Sequence, residues 1–163
     1  MALKKSSETV LISASVTESA ANTFTATEVS LPLSPLDKEV FVVTMINLDP
    51  DAPDLVGGNT TQVDASISTT ARTTNPGTIA ASQVMATSRM QIIDATVPFS
   101  REDPLSADPN SGYIGIIATD DFFLNIEGIN NGNPKTCRAR IYGYRAKADA
   151  STYAALVQSE LLS

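Results

Sequence analysis

Lys38-Glu39-Val40-Phe41-Val42-Val43-Thr44-Met45-Ile46-Asn47-Leu48-Asp49 is the stretch on which the reading of the fold turns. Val, Phe, Thr and Ile suit a pleated backbone, and Val40-Phe41-Val42-Val43 puts apolar side chains on both of its faces. A strand buried on both faces is expected at the centre of a sheet. Pro50-Asp51-Ala52-Pro53-Asp54 then interrupts the pattern, because proline has no N–H to give a ladder, and Gly57-Gly58-Asn59 lengthens the break.

The same alternation of strand and turn chemistry extends in both directions. Upstream, Thr9 to Val16 and Asn22 to Leu31 read as strands, the second ended by Pro32 and Pro35. Downstream, Thr61 to Thr73 alternates, with Val63, Ala65, Ile67, Thr69 and Ala71 on one face, and Asn75-Pro76-Gly77 is a turn. Gln83 to Ile92 reads as a strand; a helix from Thr78 to Met90 competes, because the stretch is rich in alanine. Ser100 to Gly112, with two prolines and several acids, reads as a surface loop. Tyr113 to Thr119 and Phe122 to Ile129 are two further strands. Asn130-Asn131-Gly132-Asn133-Pro134 predicts a hairpin to a return strand, Lys135 to Arg145, since Asn-Gly accepts the positive φ of a tight turn. Asp149 is placed to cap a closing helix with the stripe Tyr153, Leu156, Val157 and Leu161. This stripe is expected on the sandwich edge or against a neighbouring subunit. The sum is an all-β fold, a jelly roll or β-sandwich of about eight strands with a short C-terminal helix, as one domain over residues 1–163.

Composition narrows the chemistry. The chain has no histidine, so Ser-His-Asp and Cys-His devices and histidine-based metal sites are excluded. Cys137 is the single cysteine and reads as a small core residue. A glycosidase pair drawn from Glu102-Asp103, Asp120-Asp121 and Glu127 would lack the tryptophan that commonly stacks a sugar; these acids read as solvated loops and the chain as no enzyme. The net charge of −7 repels phosphate, so strong nucleic-acid binding is not expected. Lys4-Lys5 before Val10-Leu11-Ile12 imitates the opening of a signal peptide, but Ser13 and Ser15 break the apolar run. Val40 to Leu48 is too short and too polar to span a bilayer, so neither a signal peptide nor membrane insertion is expected.

Two groups of residues remain as candidate sites. Asp49, Asp51 and Asp54 cluster carboxylates on a loop, as calcium prefers, although Pro53 stands where an EF-hand would need a ligand; calcium is the one cofactor candidate. Arg138, Arg140, Tyr142 and Tyr144 recur at period two on one strand face. Interleaved basic and aromatic side chains suit single-stranded nucleic acid. They equally suit a protein interface, or an outer face paired with acids such as Glu127, and the acidic balance of the chain favours these.

The run Tyr113-Ile114-Gly115-Ile116-Ile117-Ala118-Thr119-Asp120-Asp121-Phe122-Phe123-Leu124-Asn125-Ile126-Glu127-Gly128 and the tail Tyr142-Gly143-Tyr144-Arg145-Ala146-Lys147-Ala148-Asp149 resemble the small single jelly-roll capsid proteins of tailless viruses of microbes. The resemblance is one of architecture over most of the chain. It implies a virion structural protein, a capsid subunit that self-assembles into a shell in the host cytoplasm, with copies of itself and other virion proteins as partners. Capsid proteins that coat a genome directly often carry a basic arm, where this chain has Lys4-Lys5 alone; genome contact would then be weak or fall to another component. A carbohydrate-binding or adhesin-like β-sandwich is one alternative, and a phage decoration, tail or surface-filament subunit is another.

Overall fold

The computed structural model describes residues 3–94, 97–102, 105–106 and 112–162. Among these, eleven strands precede one helix. They are β1 (Leu3–Lys5), β2 (Val10–Thr17), β3 (Thr25–Ser30), β4 (Glu39–Pro50), β5 (Thr61–Ser68), β6 (Val84–Ile93), β7 (Val97–Glu102), β8 (Leu105–Ser106), β9 (Gly115–Ile117), β10 (Asp121–Ile129), β11 (Thr136–Ala148) and α1 (Ala150–Leu161). In the first sheet β11 lies between β4 and the broken edge made by β1 and β2, while β8 and β9 flank the far side of β4. The second sheet runs β3-β10-β5-β6-β7, and every pairing in both sheets is antiparallel. The chain crosses from sheet to sheet at β2–β3, β3–β4, β4–β5, β7–β8, β9–β10 and β10–β11. This wrapping is a jelly roll.

Val40 to Val43 are buried throughout, at 0–1% exposure, and β4 is internal to its sheet. Two different neighbours bury the two faces. Phe41 and Val43 point into the core between the sheets with Ile67, Phe122, Leu124, Ile126 and Ile141. Val40 and Val42 point outward and are covered by α1. The ladder with β11 shifts register between Tyr142 and Gly143, so Thr44 is the extra residue of a bulge, and its hydroxyl donates to Tyr142 O at 3.1 Å. Gly143 is required beside it: a Cβ there would lie 2.4 Å from Val42 O and 2.6 Å from the Phe41 ring.

All eight strands expected from the sequence are present, some with shorter bounds, and β1, β7 and β8 are additional. The strand reading of Gln83 to Ile92 holds against the competing helix, because β6 pairs with both β5 and β7. The loop expected over Ser100 to Gly112 needs correction: β7 continues to Glu102, and Leu105–Ser106 pairs with Met45 and Ile46. Pro98 is compatible with β7 because this strand forms the edge of its sheet. Residues 107–111 lie outside the described residues.

The Asn-Gly hairpin is also corrected. β10 and β11 belong to different sheets, so residues 130–135 form a corner between the layers. The positive φ falls at Asn130 (57°), not at Gly132. Side-chain hydrogen bonds from distant segments hold this corner, and local turn chemistry does not show them.

Candidate functional site

The outer face of the first sheet carries most of the residues singled out from the sequence. Cross-strand register sets them in rows: Leu11, Tyr142 and Met45; Ser13, Arg140 and Asn47; Ser15, Arg138 and Asp49. Leu11 and Met45 are 49% and 41% exposed, high for large apolar side chains. Arg138 and Arg140 are exposed. Arg138 donates to Asp51 Oδ1 at 3.1 Å, and Arg140 has no partner among the described residues. Ser13, Ser15, Asn47, Asp49 and the two arginines line an open depression of about 750 Å³ on this face.

Farther along the same face the chain covers itself. Tyr153, Leu156 and Val157 pack with Tyr144 and Leu3 around Val40, Val42, Ala118 and Ala146. Leu161 leaves that stripe and is 70% exposed. The buried position of the last turn is taken by Glu160 instead, whose carboxylate accepts Ala118 N–H at 2.8 Å and Thr119 N–H at 2.9 Å. Burial pushes the Glu160 carboxyl above its usual range, against these two hydrogen bonds. Asp149 caps the helix as expected, accepting from Thr152 N–H at 2.7 Å.

Arg138 and Arg140 do not meet Glu127, which belongs to β10 in the other sheet. Asp121 and Glu127 share the outer face of that strand, six residues apart, so about 20 Å separates them. Glycosidase carboxylates stand about 5–10 Å apart. Burial, then Glu28 and Asp120, raise the Asp121 carboxyl; burial, Asp64 and Glu18 raise Glu127. The side chain of Glu102 and the whole of Asp103 lie outside the described residues.

The three acids of the calcium candidate take separate roles. Asp49 faces outward beside Arg138. Asp51 accepts from Thr136 N–H (3.0 Å) and Arg138. Asp54 Oδ2 accepts from Gly132 N–H (2.9 Å) and Asn133 N–H (3.0 Å), and its Oδ1 meets Lys135 Nζ at 2.5 Å. The Lys135 ammonium holds the Asp54 carboxyl below its usual range. Among the described residues no group of three or more His, Cys, Asp or Glu side chains is arranged to hold a metal ion.

Asp54 belongs instead to a network at one end of the sandwich. Its hub, Glu18, is 4% exposed and accepts from Gly128 N–H (2.6 Å), Lys135 N–H (2.8 Å) and Thr23 N–H (3.1 Å). Asn131 donates to Gln62 O (2.9 Å), accepts from Asp54 N–H (2.9 Å) and exchanges two hydrogen bonds with Asn22. Three chain corners are thereby joined. The sequence hinted at this only through polar residues crowded beside turns. Cys137 is buried as expected, and burial pushes its thiol up to about 12, far from a reactive thiolate.

No protein family matches the sequence, and no curated protein matches it. Solved structures do share its fold. VP1 of Merkel cell polyomavirus, in complex with GD1a oligosaccharide, is 8% identical, with a TM-score of 0.50 over 91% of this chain and 100% of that chain. VP1 of Trichodysplasia spinulosa-associated polyomavirus is 8% identical, with a TM-score of 0.53 over 91% of this chain and 99% of that chain. Both are viral jelly-roll capsid proteins, so the architectural resemblance read from the strand pattern is matched at the level of the fold.

Proposed function

We propose that this chain is a virion structural protein, a capsid subunit that assembles with copies of itself into a shell. The observation that carries the reading is the two-way extent of the likeness: nearly all of this chain aligns with essentially all of two viral capsid chains. The chemistry agrees. The buried carboxylates of Glu18 and Glu160 are spent on backbone N–H groups, and the one thiol is far from ionisation, so the reading is structural and not enzymatic. The exposed Leu11 and Met45, with the half-buried Tyr142 between them and Arg140 beside it, suit contact with other protein subunits. The net charge of −7 disfavours strong binding to a genome. Other virion proteins are expected partners, the location is the virion, and assembly takes place in the host cytoplasm. Among the described residues no helix is long and apolar enough to cross a membrane.

Light scattering and negative-stain imaging of the purified protein test this reading. Large closed particles are expected. A strictly monomeric species across concentration, salt and calcium would overturn it. A monomer that binds GD1a oligosaccharide would favour the carbohydrate-binding alternative.

A further inference from the structure

We propose that the open edge of β2 pairs with β2 of a second copy, antiparallel about a two-fold axis, and joins two first sheets into one. This inference rests on the reading that the chain assembles with itself, and it names the contact.

An edge strand offers unpaired N–H and C=O groups, and proteins ordinarily guard such edges with charge, proline, short strands or a cover. Here the other edges are guarded. β3 carries Glu28 and is followed by Pro32 and Pro35, and β7 contains Pro98, Arg101 and Glu102. The far edge of the first sheet consists of β8 and β9, two and three residues long, and β1 carries Lys4 and Lys5. β2 differs: Val10-Leu11-Ile12-Ser13-Ala14-Ser15-Val16-Thr17 is eight residues with no charge and no proline.

Geometry leaves this edge available. Glu18 N–H donates to Lys135 O at 2.9 Å, and the register from Thr17↔Thr136 to Val10↔Gly143 runs without a shift. Alternation of an antiparallel ladder then turns Val16, Ala14 and Ile12 toward β11, and Leu11, Ser13, Ser15 and Thr17 away from it. The outward N–H groups of these four have no partner among the described residues. Val10 and Leu11 are 41% and 49% exposed, and a cavity of about 510 Å³ opens beside them, lined in part by Ile12, Leu31, Pro32 and Phe41.

The strand fits a copy of itself. A two-fold axis normal to the sheet, passing beside Ala14, sets outer face beside outer face, places Ser13 opposite Ser15 and Leu11 opposite Thr17, and keeps Glu8 and Glu18 from facing each other. No charge within either strand meets a like charge, because the flanking acids, Glu8 and Glu18, lie beyond its ends. Pairing would cover Val10 and Leu11 and give the free amides acceptors.

Two variants test the contact. In S13E/S15E the new carboxylates stand opposite Arg140 and Arg138 of their own sheet, which accommodates them, while between copies they oppose each other. S13P removes one outward N–H and leaves the ladder to β11 intact. Sedimentation velocity over a concentration series, with circular dichroism melts to verify folding, is expected to show wild-type association. Both variants should weaken it by about tenfold or more with little change in melting. Association of both variants equal to wild type would overturn the edge contact and leave the shell reading standing. A wild type that is monomeric at every concentration would remove the shell reading, and this inference with it.

Discussion

Glu18 and Glu160 act near opposite ends of β10, and each spends a buried carboxylate on backbone N–H groups. Their surroundings differ. Glu18 gathers N–H groups from three separate segments and adjoins a network that includes Asn131, Asp54 and the Lys135 ammonium. Glu160 accepts from two consecutive residues, Ala118 and Thr119, and adds to the negative field around Asp121. One carboxylate locks several chain crossings together; the other tethers a single helix. A buried charge is well placed only when enough donors replace its lost water, so the two sites should respond differently to the same perturbation.

The largest effect is expected at Glu18. Glu18→Ala would leave three backbone N–H groups without their acceptor and should cost about 3–5 kcal/mol, read as a lower urea midpoint at unchanged slope. A loss below about 1 kcal/mol would show that the crossings hold without it.

Asp54→Asn should cost about 1–3 kcal/mol near neutral pH, since it weakens the contact with Lys135 and the loop N–H groups. The folded carboxyl lies below its unfolded value, so its contribution is complete above that value of 3.8 and fades as pH falls through the folded one. The gap between variant and wild type should therefore close on acidification. A gap independent of pH would refute the Lys135 assignment.

The smallest effect is expected at Glu160. Its folded carboxyl lies above 4.5, so wild type should lose stability as pH rises from there through the folded value, and then level off. Glu160→Gln keeps one acceptor and removes the buried charge. It should stay within about 1 kcal/mol of wild type and abolish that slope, as followed by melts across the acid range. A persistent slope would place the titrating group elsewhere, with Asp121 the next to test.

The legibility of these features in the sequence follows from the range of the forces involved. The strands were readable because alternation and β-branched residues are local, and so was the Asp149 cap, which satisfies an N–H three residues on. In the C-terminal stripe Leu161 is apolar and matches helical spacing, yet Glu160 is the buried residue, because Ala118 and Thr119 offer it donors from 41–42 residues away. The acids at 49–54 looked like one cluster in sequence, but Asp51 and Asp54 are engaged by partners 78–87 residues distant. The Asn-Gly turn predicts a hairpin and makes a corner, because turn propensity reports backbone angles and not the sheet to which each flanking strand belongs.

What the sequence by itself determined was an all-β chain with a central strand buried on both faces, a capped closing helix and no histidine chemistry, since these depend on residue type and on neighbours a few positions away. The tertiary structure decided which sheet each strand joins, which carboxylates become hubs, which half of the outer face α1 covers and which edge is left open. Those outcomes depend on hydrogen-bond partners and apolar surfaces brought together from across the chain, and no local pattern carries that information.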